Sequence, residues 1–369
     1  MATPPNWIHI GLAKTGTTSL QQVLFSRHPD VIYLGKVWSS DEALLKVMSD
    51  ASRARDHHLP EGWLDRLAKP EVARAVAAGA AGKKLVMFSE EDLTTHRFID
   101  PAVAARRMHA PLPSARILVV LRDPMDWLQS MYFFRLSLRF PEALDGFDAW
   151  LAQGVARPPR GTDFGQLRVA ETLETYAGLF GAENIVIRFY EDLHRDAEGF
   201  VTELSAALGI DPAAALAAYN SGGEGRFGKS RVTVARSEFL LSFRQVRDGQ
   251  AAAYRAGLQP MLNALEAPQL KRVEAMLDTA LASPEAERVK AMRDASAFLD
   301  RVLRDRLDTG GRATAEASAE TRRAVRDIVA PGLDAIARRF GAPADRYLDA
   351  AWARRPDQAR PRAVPGSWR

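Results

Sequence analysis

Short apolar runs that alternate with helical patterns constrain the fold of this chain more than any other feature of its sequence. Four runs are brief, rich in β-branched residues and bounded by turn-forming or charged residues; they cover residues 7–12, 84–88, 116–121 and 184–190. A helical pattern follows each run. Because strands that alternate with helices are joined by parallel crossovers, the sequence predicts a three-layer α/β domain with a central, mostly parallel sheet flanked by helices.

The chain changes character after residue 236, where strand-like runs cease and long periodic patterns of Leu, Ala and Met begin. We expect an α/β domain at residues 1–236 and a helical insertion or appendage at residues 237–320. A C-terminal helix at residues 321–350 is expected to pack on the core, and residues 351–369, rich in Arg and Pro, are expected to be disordered. The fold prediction thus includes an α-helical C-terminal extension.

The composition narrows the classes of function. Hydrophobic residues make up 47% of the 369 residues and charged residues 26%, as in ordinary globular proteins. The formal net charge is only +4, so nucleic acid is not an expected partner. No apolar run approaches the ~20 residues of a membrane-spanning helix. The lack of Cys excludes disulfides and thiol catalysis and, with an N-terminus unlike a secretory signal, predicts a cytoplasmic protein.

The first candidate site is the loop that joins the first strand to the following helix, because ligands of parallel α/β domains bind beyond the carboxyl ends of the strands. Gly11 and Gly16 permit tight turns with inward-pointing amides, and the helix that follows adds the positive end of its dipole. Lys14 adds a full charge, and hydroxyl groups follow at residues 17–19. The loop is therefore predicted to bind phosphate; a plain glycine turn with a solvated Lys14 is the alternative interpretation.

The spacing of these two glycines matches that of a Walker A motif, the phosphate loop of P-loop nucleotide-binding proteins. Thr17 stands where that motif requires Lys, and Lys14 lies inside the loop instead. The fold is accordingly predicted to be P-loop-like with a displaced lysine.

The second candidate site follows the third predicted strand. Arg122 stands at the end of this strand, and Ser130 lies two turns into the next helix. A guanidinium offers two parallel donors to phosphate and a Ser hydroxyl offers another, so the pair suits a phosphate separate from the first. The alternative is an ordinary ion pair of Arg122 with Asp123 or Asp126.

Both candidate sites resemble motifs of the sulfotransferase family. The run KTGTTSL at residues 14–20 resembles the family's 5′-phosphosulfate loop, and RDPMDWLQSMY at residues 122–132 resembles its 3′-phosphate motif, including the spacing from Arg to Ser. The resemblance implies a bacterial sulfotransferase whose donor is 3′-phosphoadenosine 5′-phosphosulfate (PAPS). Its 5′-phosphate would be bound by Lys14, Thr15, Gly16, Thr17, Thr18 and Ser19, with Lys14 at the leaving oxygen, and its 3′-phosphate by Arg122 and Ser130.

Two shorter stretches resemble the same family. The run RFYEDL at residues 188–193 is similar to a strand-ending segment of the family, and GKSR at residues 228–231 is similar to the basic loop that closes over the 3′-phosphate. The second resemblance adds Lys229, Ser230 and Arg231 to the predicted donor site. A solvated charge cluster is the alternative interpretation of these three residues.

Sulfuryl transfer requires a base that takes the proton of the acceptor. Glu90 and Glu91 follow the end of the second predicted strand, and strand alternation places their side chains on opposite faces, so only one is expected to face the donor. The resemblance to bacterial members, which carry Glu at this place, makes Glu91 the predicted base, ahead of Glu90. Cytosolic members carry a His near this strand end, which makes His96 the second candidate. A solvated acidic turn is the alternative.

The chain is thus expected to transfer the sulfuryl group of PAPS by in-line displacement to a hydroxyl or amine of a small-molecule or glycan acceptor, releasing adenosine 3′,5′-bisphosphate (PAP). No metal is expected, because His57 and His58 are an isolated pair in a polar stretch.

Two other functions stay open. One is a P-loop nucleotide kinase or NTPase that holds its metal with Asp123. The other is a non-catalytic nucleotide-binding scaffold protein that contacts a partner through its helical region.

Overall fold

A parallel sheet organises the chain in the computed structural model, which describes residues 5–33, 84–89, 91–94, 100–110, 112–159, 162–221, 232–308 and 311–350. The five strands found in these ranges are β1 (Asn6–His9), β2 (Val31–Tyr33), β3 (Leu85–Ser89), β4 (Arg116–Leu121) and β5 (Ile185–Phe189). Their order is β2-β3-β1-β4-β5, and every adjacent pair is parallel. The predicted α/β class is confirmed, with a sheet that is parallel throughout.

Seventeen helices surround or follow this sheet in the described part of the chain, and none of them is both long and apolar enough to cross a membrane. The helices up to residue 220 are α1 (Thr17–Ser19, continued by a π-helical segment, Leu20–Phe25), α2 (Pro101–His109), α3 (Pro124–Ser137), α4 (Phe147–Ala156), α5 (Val169–Phe180), α6 (Tyr190–Arg195), α7 (Ala197–Leu208) and α8 (Pro212–Asn220). The later helices are α9 (Val234–Ser242), α10 (Arg244–Arg247), α11 (Ala251–Gly257), α12 (Gln259–Leu262), α13 (Ala267–Ala282), α14 (Glu285–Val302), α15 (Arg304–Leu307), α16 (Ala319–Phe340) and α17 (Arg346–Ala350). Short 3-10 turns lie at Glu91–Thr94, Pro141–Ala143, Asp163–Arg168 and Ala182–Asn184. The predicted helical C-terminal part is confirmed.

The three central strands are apolar along most of their length because helices cover both faces of the sheet. On one face, helices α1, α7 and α8 pack on a core that includes Trp7, Leu118 and Leu204. On the other face, α2 packs against α5, and α5 contacts β4 and β5. Buried side chains such as Ile8 and Val119, which alternate with the first set, each contribute roughly 1.5–3 kcal/mol. The predicted three layers are therefore present.

The sheet differs from the prediction at its edge. Strand β2 was not predicted, because Val31–Tyr33 is only three residues long and directly follows the turn that ends the first helix. It pairs with β3 at the edge of the sheet, where one neighbour is enough. A run this short carries too few alternating positions to be distinguished from a loop by its pattern.

Strand register brings three chain segments to the same edge of the sheet. His9, the last residue of β1, pairs with Ser89 of β3 and with Leu118 of β4. The segments that leave β1, β3 and β4 therefore start at the carboxyl edge, and β1 lies between β3 and β4, where the strand order reverses. Such a switch point is where parallel α/β folds bind ligands.

The chain divides into two compact units. The first comprises residues 1–127, 154–228 and 322–369, and contains the sheet. The second comprises residues 128–153 and 229–321; its described ranges consist of helices and connecting loops, with one isolated bridge between Thr233 and Arg312. The domain boundaries expected after residues 236 and 320 stay a prediction.

Buried arginines hold the helical unit together. Arg139 donates Nε to Ser296 Oγ at 2.7 Å and Nη2 to the Ser296 carbonyl at 2.9 Å. Arg236 pairs with Asp300 through two hydrogen bonds, of 2.9 Å and 3.0 Å. Arg139 thus ties the segment after α3 to α14, and Arg236 ties α9 to α14. Because desolvation offsets most of the attraction in a buried ion pair, the Arg236–Asp300 contact fixes the arrangement of these helices more than it adds to stability.

Candidate active site

The loop after β1 has the backbone conformation of an anion-binding turn. Gly11, Lys14 and Gly16 all adopt left-handed conformations, with φ of 68°, 68° and 80°. Left-handed residues in such a loop turn successive amides toward one side, where they form a concave binding surface. Lys14 is not a glycine, so this conformation costs about 1–3 kcal/mol, and strain of this kind is concentrated at functional sites. This conformation is compatible with an anion-binding loop.

Three consecutive carbonyl groups of this loop accept hydrogen bonds from side chains. The bonds run from Thr15 Oγ1 to the Leu12 carbonyl at 2.6 Å, from Trp127 Nε1 to the Ala13 carbonyl at 2.8 Å and from Arg122 Nη1 to the Lys14 carbonyl at 2.8 Å. Each carbonyl oxygen already accepts a hydrogen bond, so its partial negative charge is offset and would repel a bound anion less. The amide side is thereby left as the attractive side for an anion.

Two hydroxyl groups of the loop donate hydrogen bonds to other groups of the protein. Thr15 is fully buried, and its hydroxyl donates a hydrogen bond to the Leu12 carbonyl. Thr17 is 3% exposed and donates to Glu91 Oε2 at 2.5 Å. A phosphate contact from Thr15 would therefore come from its backbone amide. The donor-binding roles of residues 14–19 stay predictions.

Glu91 lies against the loop. It begins the short turn after β3, and a Cβ added at Gly11 would lie 2.7 Å from Glu91 Cβ and 2.8 Å from Glu91 Cα. Gly11 is therefore required by two independent constraints, its positive φ and the closeness of the Glu91 backbone. The carboxylate of Glu91 reaches the Thr17 hydroxyl from this position. Glu90 and His96, the other candidates for the base, lie outside the described residues.

Arg122 is held between the loop and an aromatic ring. Its guanidinium carbon lies 4.5 Å from the centre of the Tyr190 ring, and its Nη1 donates to the Lys14 carbonyl. Its Nε is buried and has no hydrogen-bond partner among the described residues. A buried donor without a partner costs free energy, so this atom suits an anionic acceptor that is bound during function.

Ser130, the predicted partner of Arg122, lies on α3, and this helix starts two residues after Arg122. Ser130 belongs to the helical unit and Arg122 to the sheet-containing unit. That both bind one phosphate stays a prediction. Lys229, Ser230 and Arg231 lie outside the described residues.

Asp123 caps the helix that follows Arg122. Its Oδ1 accepts hydrogen bonds from the amides of Met125 at 2.9 Å and Asp126 at 3.0 Å. The carboxyl group is almost fully buried, and this burial, with smaller contributions from the Asp126 and Glu191 carboxylates, raises its pKa to about 6. The acidic side chain next to Arg122 is thus committed to the helix end, as the sequence pattern of an N-cap suggests.

The segment after β5 packs against the loop after β1. A Cβ added at Gly16 would lie 2.8 Å from Leu193 Cδ2 and 3.4 Å from the Tyr190 ring, so α6 packs directly on the loop. Glu191 accepts a hydrogen bond from the Asp123 amide at 2.9 Å. The sequence of this segment by itself indicates only the resemblance to the family. Its place at the end of a strand, the criterion that selected the other two sites, would have identified it.

A buried polar cluster lies where β1, β3 and α1 meet. Ser89 Oγ lies 2.7 Å from His9 Nδ1 and 2.8 Å from Gln21 Nε2, and the three side chains are buried. They join the last residue of β1, the last residue of β3 and the π-helical segment of α1. No cluster of His, Cys, Asp and Glu side chains suited to a metal ion occurs among the described residues.

Comparison with known proteins identifies the family. A search of solved structures lists a chain described as a sulfotransferase from Alicyclobacillus acidocaldarius, with 22% sequence identity and a TM-score of 0.39 over 57% of this chain and 83% of that chain. No curated protein shows significant similarity to the sequence. The model of the sulfotransferase family matches residues 7–213, which include the loop after β1, Glu91, Arg122 and the segment after β5. The chain belongs to the sulfotransferase family.

Proposed function

We propose that the protein is a PAPS-dependent sulfotransferase that transfers a sulfuryl group to a hydroxyl or amine of a small-molecule or glycan acceptor. The observation that carries this proposal is the loop after β1, whose Leu12, Ala13 and Lys14 carbonyl groups accept hydrogen bonds from Thr15, Trp127 and Arg122. Its left-handed residues are of the kind that form anion-binding concavities of backbone amides. Family membership supports the reaction class.

The donor fits two neighbouring parts of the site. Its 5′-phosphosulfate matches the amides of the loop together with the helix N-terminus, the charge of Lys14 and the hydroxyls of residues 17–19. Its 3′-phosphate matches Arg122, whose buried Nε has no partner among the described residues. Ser130 and residues 229–231 complete the proposed contacts to this second phosphate.

The reaction breaks the bond between sulfur and the oxygen that links it to the 5′-phosphate, and forms a bond between sulfur and the acceptor atom. The acceptor proton passes to Glu91, and the leaving oxygen, which gains negative charge, is stabilised by Lys14 and the loop amides. The sulfuryl group carries less charge than a phosphoryl group, so these cationic and amide groups serve without a metal in this proposal.

Thr17 connects the donor site to the base. Its hydroxyl has one proton, which it donates to Glu91 in this structure. When the 5′-phosphate is bound, Thr17 donates to a phosphate oxygen instead, and the Glu91 carboxylate is released to accept the acceptor proton. Binding of the donor thus precedes activation of the base in the proposed cycle.

The test is turnover of labelled PAPS with pooled phenols, sugars, amines and alcohols, using Lys14→Ala and Glu91→Ala as controls. We expect sulfated product from the wild type, loss of PAP binding in Lys14→Ala, and retained PAP binding without turnover in Glu91→Ala. The proposal is wrong if PAP gives no thermal stabilisation of the wild type. Magnesium-dependent ATP binding tighter than PAP binding would select a kinase or NTPase, and PAP binding without turnover of any acceptor would select a scaffold protein.

A further inference from the structure

The carboxylate of Glu191 is held between two distant parts of the chain. One oxygen, Oε1, accepts the Asp123 amide at 2.9 Å. The other, Oε2, accepts a short hydrogen bond from the hydroxyl of Tyr347 on α17. Asp123 directly follows Arg122, so Glu191 joins the C-terminal helix to the backbone that carries the proposed 3′-phosphate ligand.

Burial and ring packing fix the position of the Tyr347 side chain. It is 4% exposed, and its ring packs edge-on against Phe189 with the ring centres 5.8 Å apart. Burial and the neighbouring Glu191 carboxylate raise the pKa of Tyr347, so its hydroxyl keeps its proton and remains a donor. A protonated hydroxyl beside a carboxylate forms the stronger, charge-assisted class of hydrogen bond.

Arg346 reinforces the same contact. Its guanidinium carbon lies 3.9 Å from the centre of the Phe189 ring, and its Nη1 lies 3.4 Å from Asp192 Oδ1. Its Nη2 is 3.7 Å from Glu191 Oε2. The cation therefore offsets part of the cost of placing the Glu191 carboxylate close to the buried Asp123 carboxyl group.

Arg122 depends on this arrangement for its direction. Its side chain extends to the Lys14 carbonyl on one side, while the backbone immediately after it is fixed by the bond from the Asp123 amide to Glu191. Tyr190, which lies beside Glu191 in sequence, supplies the ring under the guanidinium. A shift of the Glu191 carboxylate would move both the backbone after Arg122 and the start of α6, which carries that ring.

We propose that Tyr347 is a positioning residue for Arg122: its hydroxyl fixes Glu191, which fixes the backbone after Arg122 and so the geometry of the 3′-phosphate site. This inference rests on the proposed function, because it assigns a 3′-phosphate to Arg122. Tyr347 lies well beyond residue 213, where the match to the family model ends. The C-terminal helix would therefore be part of the donor site of this chain.

The test compares two nucleotides that differ only in the 3′-phosphate. The affinities of wild type and Tyr347→Phe for PAP and for AMP are measured by titration calorimetry. Tyr347→Phe keeps the ring and removes the hydroxyl, so we expect a PAP affinity weakened about fivefold to tenfold and an AMP affinity that is unchanged. The unchanged AMP affinity also shows that the variant is folded at the loop after β1.

Tyr176→Phe is the matched control. Tyr176 is fully buried in the same unit, and its hydroxyl has no hydrogen-bond partner among the described residues, so its removal should leave both affinities unchanged. If Tyr347→Phe keeps the wild-type ratio of PAP to AMP affinity, whether both affinities fall together or neither changes, the positioning role is wrong. A wild type that binds PAP no better than AMP would overturn the proposed function as well.

Discussion

Thr17 donates its hydroxyl proton to the Glu91 carboxylate across 2.5 Å, which links the loop after β1 to the first residue of the turn after β3. The two residues are 74 positions apart, and Gly11 lies against both of them. The proposed donor site and the proposed base therefore form one bonded arrangement. Substitution of either residue should therefore alter the hydrogen bonding of the other.

Removing the Thr17 hydroxyl should disable this arrangement. We expect Thr17→Val to lower kcat/KM for PAPS by about 10- to 100-fold, because a hydrogen-bond donor to the 5′-phosphate is lost. Thr17→Ser keeps the hydroxyl and should retain activity within about threefold. Steady-state kinetics at saturating acceptor measures both. A fully active Thr17→Val variant would show that the hydroxyl has no part in the reaction.

Gly11→Ala should lower the stability of the sheet-containing unit. The left-handed backbone costs about 1–2 kcal/mol for a non-glycine residue, and the contact with the Glu91 backbone adds about 1–3 kcal/mol of overpacking. Gly209, with φ of 73° and nothing within 4 Å of an added Cβ, is the control that pays only the first cost. Urea denaturation should therefore rank Gly11→Ala below Gly209→Ala, and equal losses would contradict the close contact.

Asp123→Asn should stabilise the folded chain above pH 6. The pKa of Asp123 is raised from 3.8 to about 6, mainly by burial. A carboxyl group with a higher pKa in the folded than in the unfolded chain stabilises the fold fully below pH 3.8, and this contribution is lost as the pH rises through 6. The loss is roughly 3 kcal/mol for this shift. Asn keeps the oxygen that caps α3 but has no proton to lose.

The free energy of unfolding from about pH 4 to about pH 8 measures this effect. The difference between Asp123→Asn and wild type should grow in favour of the variant as the pH rises. Asp211→Asn, the same exchange at the N-cap of α8, controls for the change of capping group. Parallel curves for Asp123→Asn and wild type would contradict the predicted linkage.

Trp127→Phe should weaken donor binding without a comparable loss of stability. The indole Nε1 of Trp127 is the donor to the Ala13 carbonyl, and without it that carbonyl would be an unpaired negative end beside the bound anion. We expect the Kd of PAP to rise about fivefold to tenfold.

Trp7→Phe is the control for this change. The Nε1 of Trp7 is buried without a hydrogen-bond partner among the described residues, and its ring belongs to the core. This variant should lose stability and keep its PAP affinity. Equal effects of the two substitutions on PAP affinity would contradict the function assigned to the Trp127 bond.

The parts of this architecture that could be predicted are those encoded by local patterns. The apolar runs of β1, β3, β4 and β5 are long enough to be identified, and parallel crossovers follow from the helices between them. Once the sheet is parallel, the residues after β1, β3 and β4 must lie at one edge. The positions of Lys14, Glu91 and Arg122 at that edge follow from the same reasoning.

The parts that could not be predicted depend on contacts between distant segments. Tyr347 reaches Glu191 across 156 positions, and no periodicity or spacing encodes such a pair. For Thr15, the residue type by itself suggests a hydroxyl contact to phosphate. In the folded loop, however, this hydroxyl donates its hydrogen bond to the Leu12 carbonyl. Side-chain partners of this kind are decided by packing, which the sequence pattern does not report.

The bonds from Trp127 and Arg122 to the loop carbonyls make its shape a property of the whole sheet edge. A peptide with the sequence of residues 11–19, or the same nine residues grafted between a strand and a helix of an unrelated scaffold, would carry the glycines and the lysine but neither external donor. Such a graft would have to create its own bracing before it bound phosphate. In protein engineering, the transferable unit is therefore the loop together with the strand end and helix start that contain Arg122 and Trp127.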